Sequence, residues 1–204
     1  MITTVPKHKH TDVQTPYKEV WLTNALEQFI RKHFATAGYE VPNGVRVSTG
    51  WPSCGAFSKV RRVGEAWNSE CSEDGTCEVI ISLFLDDPIK ILGVFIHEIV
   101  HITVGIECGH KKPFRDCMKA VGLNGKPTAT GESDELVTEL QKWVEKLGVY
   151  PHAKLDSLDR KKQSTRLLKL ECKCGCNVRV TRKWLDKYGD PWVCPCGSDL
   201  VLQD

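Results

Sequence analysis

His97-Glu98-Ile99-Val100-His101 sets two imidazoles four residues apart with a carboxylate beside the first. On a helix, positions i and i+4 project from one face about one turn apart. Two such imidazoles can bind one Zn²⁺, and the neighbouring glutamate can take the proton of a water that the ion activates. The surrounding run Ile89, Ile91, Leu92, Val94, Phe95, Ile96, Ile99, Val100, Ile102 and Val104 leaves almost no polar face, so the helix is buried. A buried His-Glu-His cluster without a partner would cost about 2–7 kcal/mol per unsatisfied polar group, and a metal removes that cost. Asp87-Pro88 supplies an N-cap with proline at the first helical position, and Gly105 a stop.

A catalytic zinc takes three protein ligands and keeps a fourth position open. His110, nine residues past His101 and beyond Gly105, is the expected third ligand. Glu107 and Cys108 are its rivals. Glu107 occupies the place where a metzincin pattern puts a histidine and would make a two-histidine, one-glutamate site. Cys108 reads as a packed thiol.

A second cluster lies near the C-terminus. Residues 172–176 read Cys-Lys-Cys-Gly-Cys and residues 194–197 read Cys-Pro-Cys-Gly, with the strand-like Val178-Arg179-Val180 between them. Paired knuckles of this kind predict a closed, structural zinc ribbon, which stabilises a segment too short to bury its own core. The shared Cys-x-Cys-Gly pattern selects Cys172, Cys174, Cys194 and Cys196, with Cys176 spare or in place of Cys172 or Cys174. Between the knuckles lie Arg179, Arg182, Lys183 and Trp184, a basic and aromatic set suited to single-stranded nucleic acid or to a solvated ribbon face.

The elements that must position these groups follow from periodicity. Tyr17 to about Ala37 predicts an amphipathic helix on Leu22, Ala25, Leu26, Phe29 and Ile30. Val45–Ser48 and Glu78–Leu83 predict strands, and residues 56–70 a further extended segment. An edge strand ahead of the metal helix can pair with an extended substrate. Helices are expected over Phe114–Val121 and residues 132–147, with residues 125–131 as a loop.

The 204 residues suffice for one catalytic domain and a small appendage. The division expected is a disordered lead over 1–16 (His8 and His10 included), a catalytic domain over 17–152, a basic linker over 153–167 and a ribbon over 168–204. Charge is uneven. Residues 1–150 hold 17 Lys+Arg against 19 Asp+Glu, and residues 151–204 hold 11 against 7, which points to the tail as any nucleic-acid-binding part. No apolar run approaches a membrane span, and the first residues lack the apolar core of a signal peptide, so a cytoplasmic protein without membrane partners is expected. In that compartment the ten cysteines are better read as metal ligands than as disulfides.

The metal helix, the Gly109-His110-x-x-x-Phe114 segment and the ribbon together resemble the SprT-like family of zincin metalloproteases, phage-encoded members above all. Further stretches carry the resemblance in the same order: Gly50-Trp51-Pro52-Ser53, Gly64-Glu65-Ala66-Trp67, Asp86-Asp87-Pro88, Gly122-Leu123-Asn124-Gly125-Lys126, Tyr150-Pro151-His152 and Thr181-Arg182-Lys183-Trp184-Leu185. It spans about residues 38–200. The resemblance implies His97, His101 and His110 as zinc ligands and Glu98 as the acid/base. The family includes the Spartan-type proteases, which degrade proteins crosslinked to DNA. The expectation is therefore an α+β zincin-like domain with a C-terminal zinc ribbon, one catalytic and one structural Zn²⁺, and an endopeptidase acting on DNA-associated proteins. If phage-encoded, it would work in the host-cell cytoplasm. The alternative is a non-proteolytic nucleic-acid-binding or regulatory protein that keeps a zincin-like core.

Overall fold

The computed structural model describes residues 17–156, 167–189 and 191–203. The expected lead over 1–16, with His8 and His10, lies outside the described residues, as does most of the expected linker. The chain divides into two compact units, Met1–Ser157 and Leu158–Asp204, both mixed α and β.

The first unit opens with α1 (Lys18–Ala25) and α2 (Arg31–Thr36), joined by the π-helical turn Leu26–Ile30, where one helix was expected. Trp21, Leu22, Ala25, Leu26, Ile30 and Phe34 on its inner face are essentially inaccessible to solvent. Three strands follow: β1 (Val45–Gly50), β2 (Gly64–Trp67) and β3 (Cys77–Ser82). Their order is β1-β3-β2, with β1 parallel and β2 antiparallel to β3. Among the described residues β2 has no strand on its outer side. The expected extended segment over 56–70 is thus confined to four residues. Residues 53–60 turn and bend instead, with Ser58 and Arg62 N–H both donating to the Gly55 carbonyl.

Helix α3 (Pro88–Val104) is the centre of this unit. Asp87 caps it, its carboxylate accepting from the N–H groups of Ile89 and Lys90, and Pro88 begins it. Ile91, Leu92, Phe95, Ile96, Ile99 and Val100 are fully buried, each stabilising the fold by about 1.5–3 kcal/mol. One side of α3 packs on β2 and β3; other faces meet α4 (Lys112–Ala120) and α5 (Asp134–Leu147). The helix expected over 132–147 begins at Asp134, because the hydroxyl of Ser133 caps it by accepting from Leu136 N–H.

Between α4 and α5 the expected loop is a hairpin, β4 (Leu123–Lys126) with β5 (Ala129–Glu132). Its strands are short and mostly polar, so they lack the apolar alternation that marks a strand in sequence. The hairpin lies close on α3: a Cβ on Gly93 would fall 2.7 Å from Glu132 Cδ, and Glu132 also pairs with Lys90.

The second unit is a four-stranded sheet in the order β7-β6-β9-β8. Its strands are β6 (Leu168–Glu171), β7 (Asn177–Val180), β8 (Trp192–Val193) and β9 (Asp199–Gln203), with α6 (Arg182–Tyr188) inserted after β7. A small core of Leu170, Val180 and Leu200 is buried together with Cys172 and Cys194. No helix among the described residues is long and apolar enough to cross a membrane.

Candidate metal centres

His97 and His101 stand one turn apart on α3, and their rings lie 5.1 Å apart. After α3 ends at Gly105, the 3₁₀ turn Ile106–Cys108 brings the chain back, so that His110 comes 5.6 Å from His97 and 4.8 Å from His101, ring to ring. The three residues offer nitrogen atoms within 4.8 Å of one another, a spacing that could hold one metal ion. The rivals of His110 are placed elsewhere. Glu107 folds back over Gly105, and the Cys108 thiol donates to the Val104 carbonyl at 3.1 Å.

The fully buried Phe114 supports all three rings, with centroids 5.0 Å from His97, 4.4 Å from His101 and 4.8 Å from His110. His97 Nδ1 shares a hydrogen bond of 2.9 Å with Thr130 Oγ1 on the hairpin, which leaves Nε2 for a metal. Thr130 escaped the sequence reading because a threonine in a polar stretch carries no signal of its own.

Electrostatics suit a metal. Burial, reinforced by the neighbouring rings, pushes His97 down to about 3. Burial, with His110 and Arg62, pushes His101 down to about 4, and burial and Arg62 also lower His110. The neutral imidazoles that result are the ligating form. His101 Nδ1 and His110 Nε2 are buried and have no hydrogen-bond partner, the condition in which a bound cation compensates.

Glu98 is 7% exposed, one of three buried polar residues among those described. Burial pushes its carboxyl up to about 8; the nearby Arg62 opposes this and Glu65 adds to it. A proton acceptor tuned toward neutrality is what general-base chemistry requires. The edge strand approaches Glu98 closely: a Cβ on Gly64 would come 2.9 Å from Glu98 Cγ and 2.7 Å from Val94 Cγ1. Glu65, next along β2, is buried and accepts bonds from Ser53 N–H (2.8 Å), Ser53 Oγ (2.6 Å), Arg62 Nη1 (2.8 Å) and Trp67 Nε1 (3.2 Å). His152 stands apart, its Nε2 bonded to the Leu83 carbonyl at 3.0 Å.

In the second unit, Cys172, Cys174, Cys194 and Cys196 offer sulfur atoms within 4.8 Å of one another, and could hold a second ion. Cys172 and Cys196 sulfurs are 3.4 Å apart, Cys174 and Cys194 3.7 Å. The two knuckles are equivalent. Gly175 N–H donates to the Cys172 carbonyl and Cys172 N–H to the Cys176 carbonyl; Gly197 N–H donates to Cys194 and Cys194 N–H to Ser198. Both glycines adopt positive φ, +87° and +84°, which other residues resist. Cys176 therefore occupies the position of Ser198, closing its turn, and lies outside the cluster of four sulfurs. A hydrogen bond from Ser198 N–H and contacts with the Cys172 and Cys194 thiols lower the Cys196 pKa, while burial and thiol contacts raise Cys172 and Cys194, so the first proton to leave the cluster belongs to Cys196.

Arg179, Arg182, Lys183 and Trp184 are exposed. The helix α6, unexpected from sequence, adds what they lacked. Trp184 and Tyr188, one turn apart, stack at 5.4 Å, and Lys187 sits 5.3 Å and 5.1 Å from their rings.

Comparison with models of known protein families, with curated proteins and with solved structures finds no match to this chain.

Proposed function

We propose that the chain is a zinc-dependent endopeptidase of the zincin type, a member of the SprT-like family, acting on proteins associated with DNA. One observation carries the reading: a buried glutamate, Glu98, adjoins a three-imidazole cluster beneath a strand, β2, that has no strand on its outer side among the described residues. His97, His101 and His110 would hold the zinc, and Cys172, Cys174, Cys194 and Cys196 a second, structural one. Bound zinc would polarise the scissile carbonyl and lower the pKa of the attacking water toward ~7. The outer edge of β2 aligns an extended polypeptide over Glu98. Glu98 takes the water's proton and returns it to the leaving amine. Thr130 keeps His97 in the orientation and tautomer that ligation needs.

The exposed α6, with its stacked aromatics and lysines, supports a nucleic-acid contact for the second unit, single-stranded DNA being favoured because unpaired bases can stack on Trp184 and Tyr188. The test is cleavage of a DNA-bound protein, and of the chain itself, by wild type and Glu98→Gln, with and without single-stranded DNA. Cleavage by wild type alone, rising with DNA, is expected. Cleavage indifferent to DNA would remove the guidance and keep the protease. No cleavage with zinc bound would favour a non-proteolytic nucleic-acid-binding protein.

A further inference from the structure

Lys90, Gly93 and His97 follow one another at i, i+3 and i+7 along α3, which sets them in one stripe of its surface. Thr130 and Glu132 are two residues apart on β5 and share one face of the hairpin. The stripe and the face meet at two points. His97 Nδ1 and Thr130 Oγ1 are 2.9 Å apart. Glu132 lies against Gly93 and pairs with Lys90. The spacings agree, since two strand residues advance about 6.6 Å and the four helical residues from Gly93 to His97 about 6 Å. β5 therefore runs along α3 in the opposite sense, pinned twice.

The second pin lies away from the imidazole cluster and is built with care. The Glu132 side chain is only 7% exposed, although that of Lys90 is 57% exposed. It fits because position 93 has no side chain: a Cβ there would fall 2.7 Å from Glu132 Cδ and 2.9 Å from Cγ. Gly93 is buried in mid-helix, where glycine is a poor helix former, and the notch it leaves accounts for its presence. A slip of β5 by one residue would turn Thr130 to the other face of the hairpin, and the side chain seated in the notch opposes that slip.

We infer that Glu132 is a positioning residue for the histidine metal centre. Seated at Gly93 and paired with Lys90, it fixes the register of β5 on α3. In that register His97 Nδ1–H donates to the Thr130 hydroxyl, and the Nε2 lone pair is left for a metal. The inference rests on the zinc proposed above for the histidines, and it stands whether or not the chain cleaves proteins.

The test is chelator competition for zinc with the full chain, following the ion that His101→Ala loses. Glu132→Ala should weaken that ion about 10–100-fold, the loss expected for Thr130→Val. Because Glu132 acts through Thr130, the two losses should not multiply: the double variant should bind zinc as Thr130→Val does. Nitrogen NMR of the zinc-free chain should show His97 protonated at Nδ1 alone in wild type and at either nitrogen in Glu132→Ala. Lys90→Gln, a change at an exposed position, should move both readouts in the same direction, and it decides the matter if Glu132→Ala does not fold. Zinc affinity within about twofold of wild type, a multiplied loss in the double variant, or an unchanged His97 tautomer would overturn the role of Glu132. A wild type that holds zinc at the histidines and cleaves nothing would remove the protease and keep this role. A wild type whose histidines take no zinc would remove both.

Discussion

Gly64 on β2 lies against Glu98 on α3, so close that any side chain at Gly64 would overlap the carboxylate. The edge strand and the candidate base are one packed unit. Gly64→Ala should therefore displace β2 or Glu98, destabilising the fold by about 1–3 kcal/mol, as overpacking does. Cleavage should suffer more than stability, because geometry at the reacting bond is less tolerant than packing. Melting temperature and kcat/KM measured side by side decide it, and a variant as active as wild type would disconnect the strand from the site.

The two ligand sets predict a metal count. The wild type should carry two zinc ions per chain and Glu98→Gln should keep both. His101→Ala should lose one, and Cys194→Ser should lose the other. Elemental analysis of purified variants reads this directly. Two ions in His101→Ala would remove the histidine cluster from consideration.

Thr130 offers a subtler check. Removing the outer partner of a ligating histidine weakens a metal about 10–100-fold. Thr130→Val should raise zinc loss to a competing chelator by that factor, while Thr130→Ser, which keeps the hydroxyl, should not. Equal retention in all three proteins would mean that the bond to His97 is incidental.

Acid should expose the role of Glu65. Burial alone would raise its pKa, but the bonds from Ser53, the charge of Arg62 and the bond from Trp67 carry it below 4.5. A carboxylate lower in the folded than in the unfolded chain contributes stability that is present above pH 4.5 and is lost as pH falls through the folded value. Melting temperatures from pH 7 to pH 3 should fall more steeply for wild type than for Glu65→Gln. Parallel curves would contradict the assignment.

For the second unit, Trp184→Ala should weaken single-stranded DNA by about 1–3 kcal/mol, the value of one stacked base. Fluorescence anisotropy of a labelled oligonucleotide at fixed salt measures it. An unchanged affinity would reassign α6 to an ordinary surface.

His97 and His101 were legible because helical spacing alone puts them on one face, Glu98 because it adjoins the first of them, and Asp87-Pro88 announced where that helix begins. The four cysteines were legible from the repeated Cys-x-Cys-Gly, although only the backbone bonds explain why Cys176 stands aside. Gly64, Thr130 and Phe114 gain their roles from long-range packing on α3 and the histidine rings, contacts that no local pattern encodes. The β4–β5 hairpin and α6 were missed for a related reason: each is too short and too polar to show a period.

His97 and His101 share one rigid 17-residue helix, whereas His110 arrives from beyond Gly105. Exchange of a bound metal would consequently be asymmetric. The helix would keep a two-toothed half-site in place, and the third tooth would close the coordination from one side. An ion released by His110 would still be held by the other two. The backbone turn at residues 105–110 would then be a lever on how fast the site fills and empties.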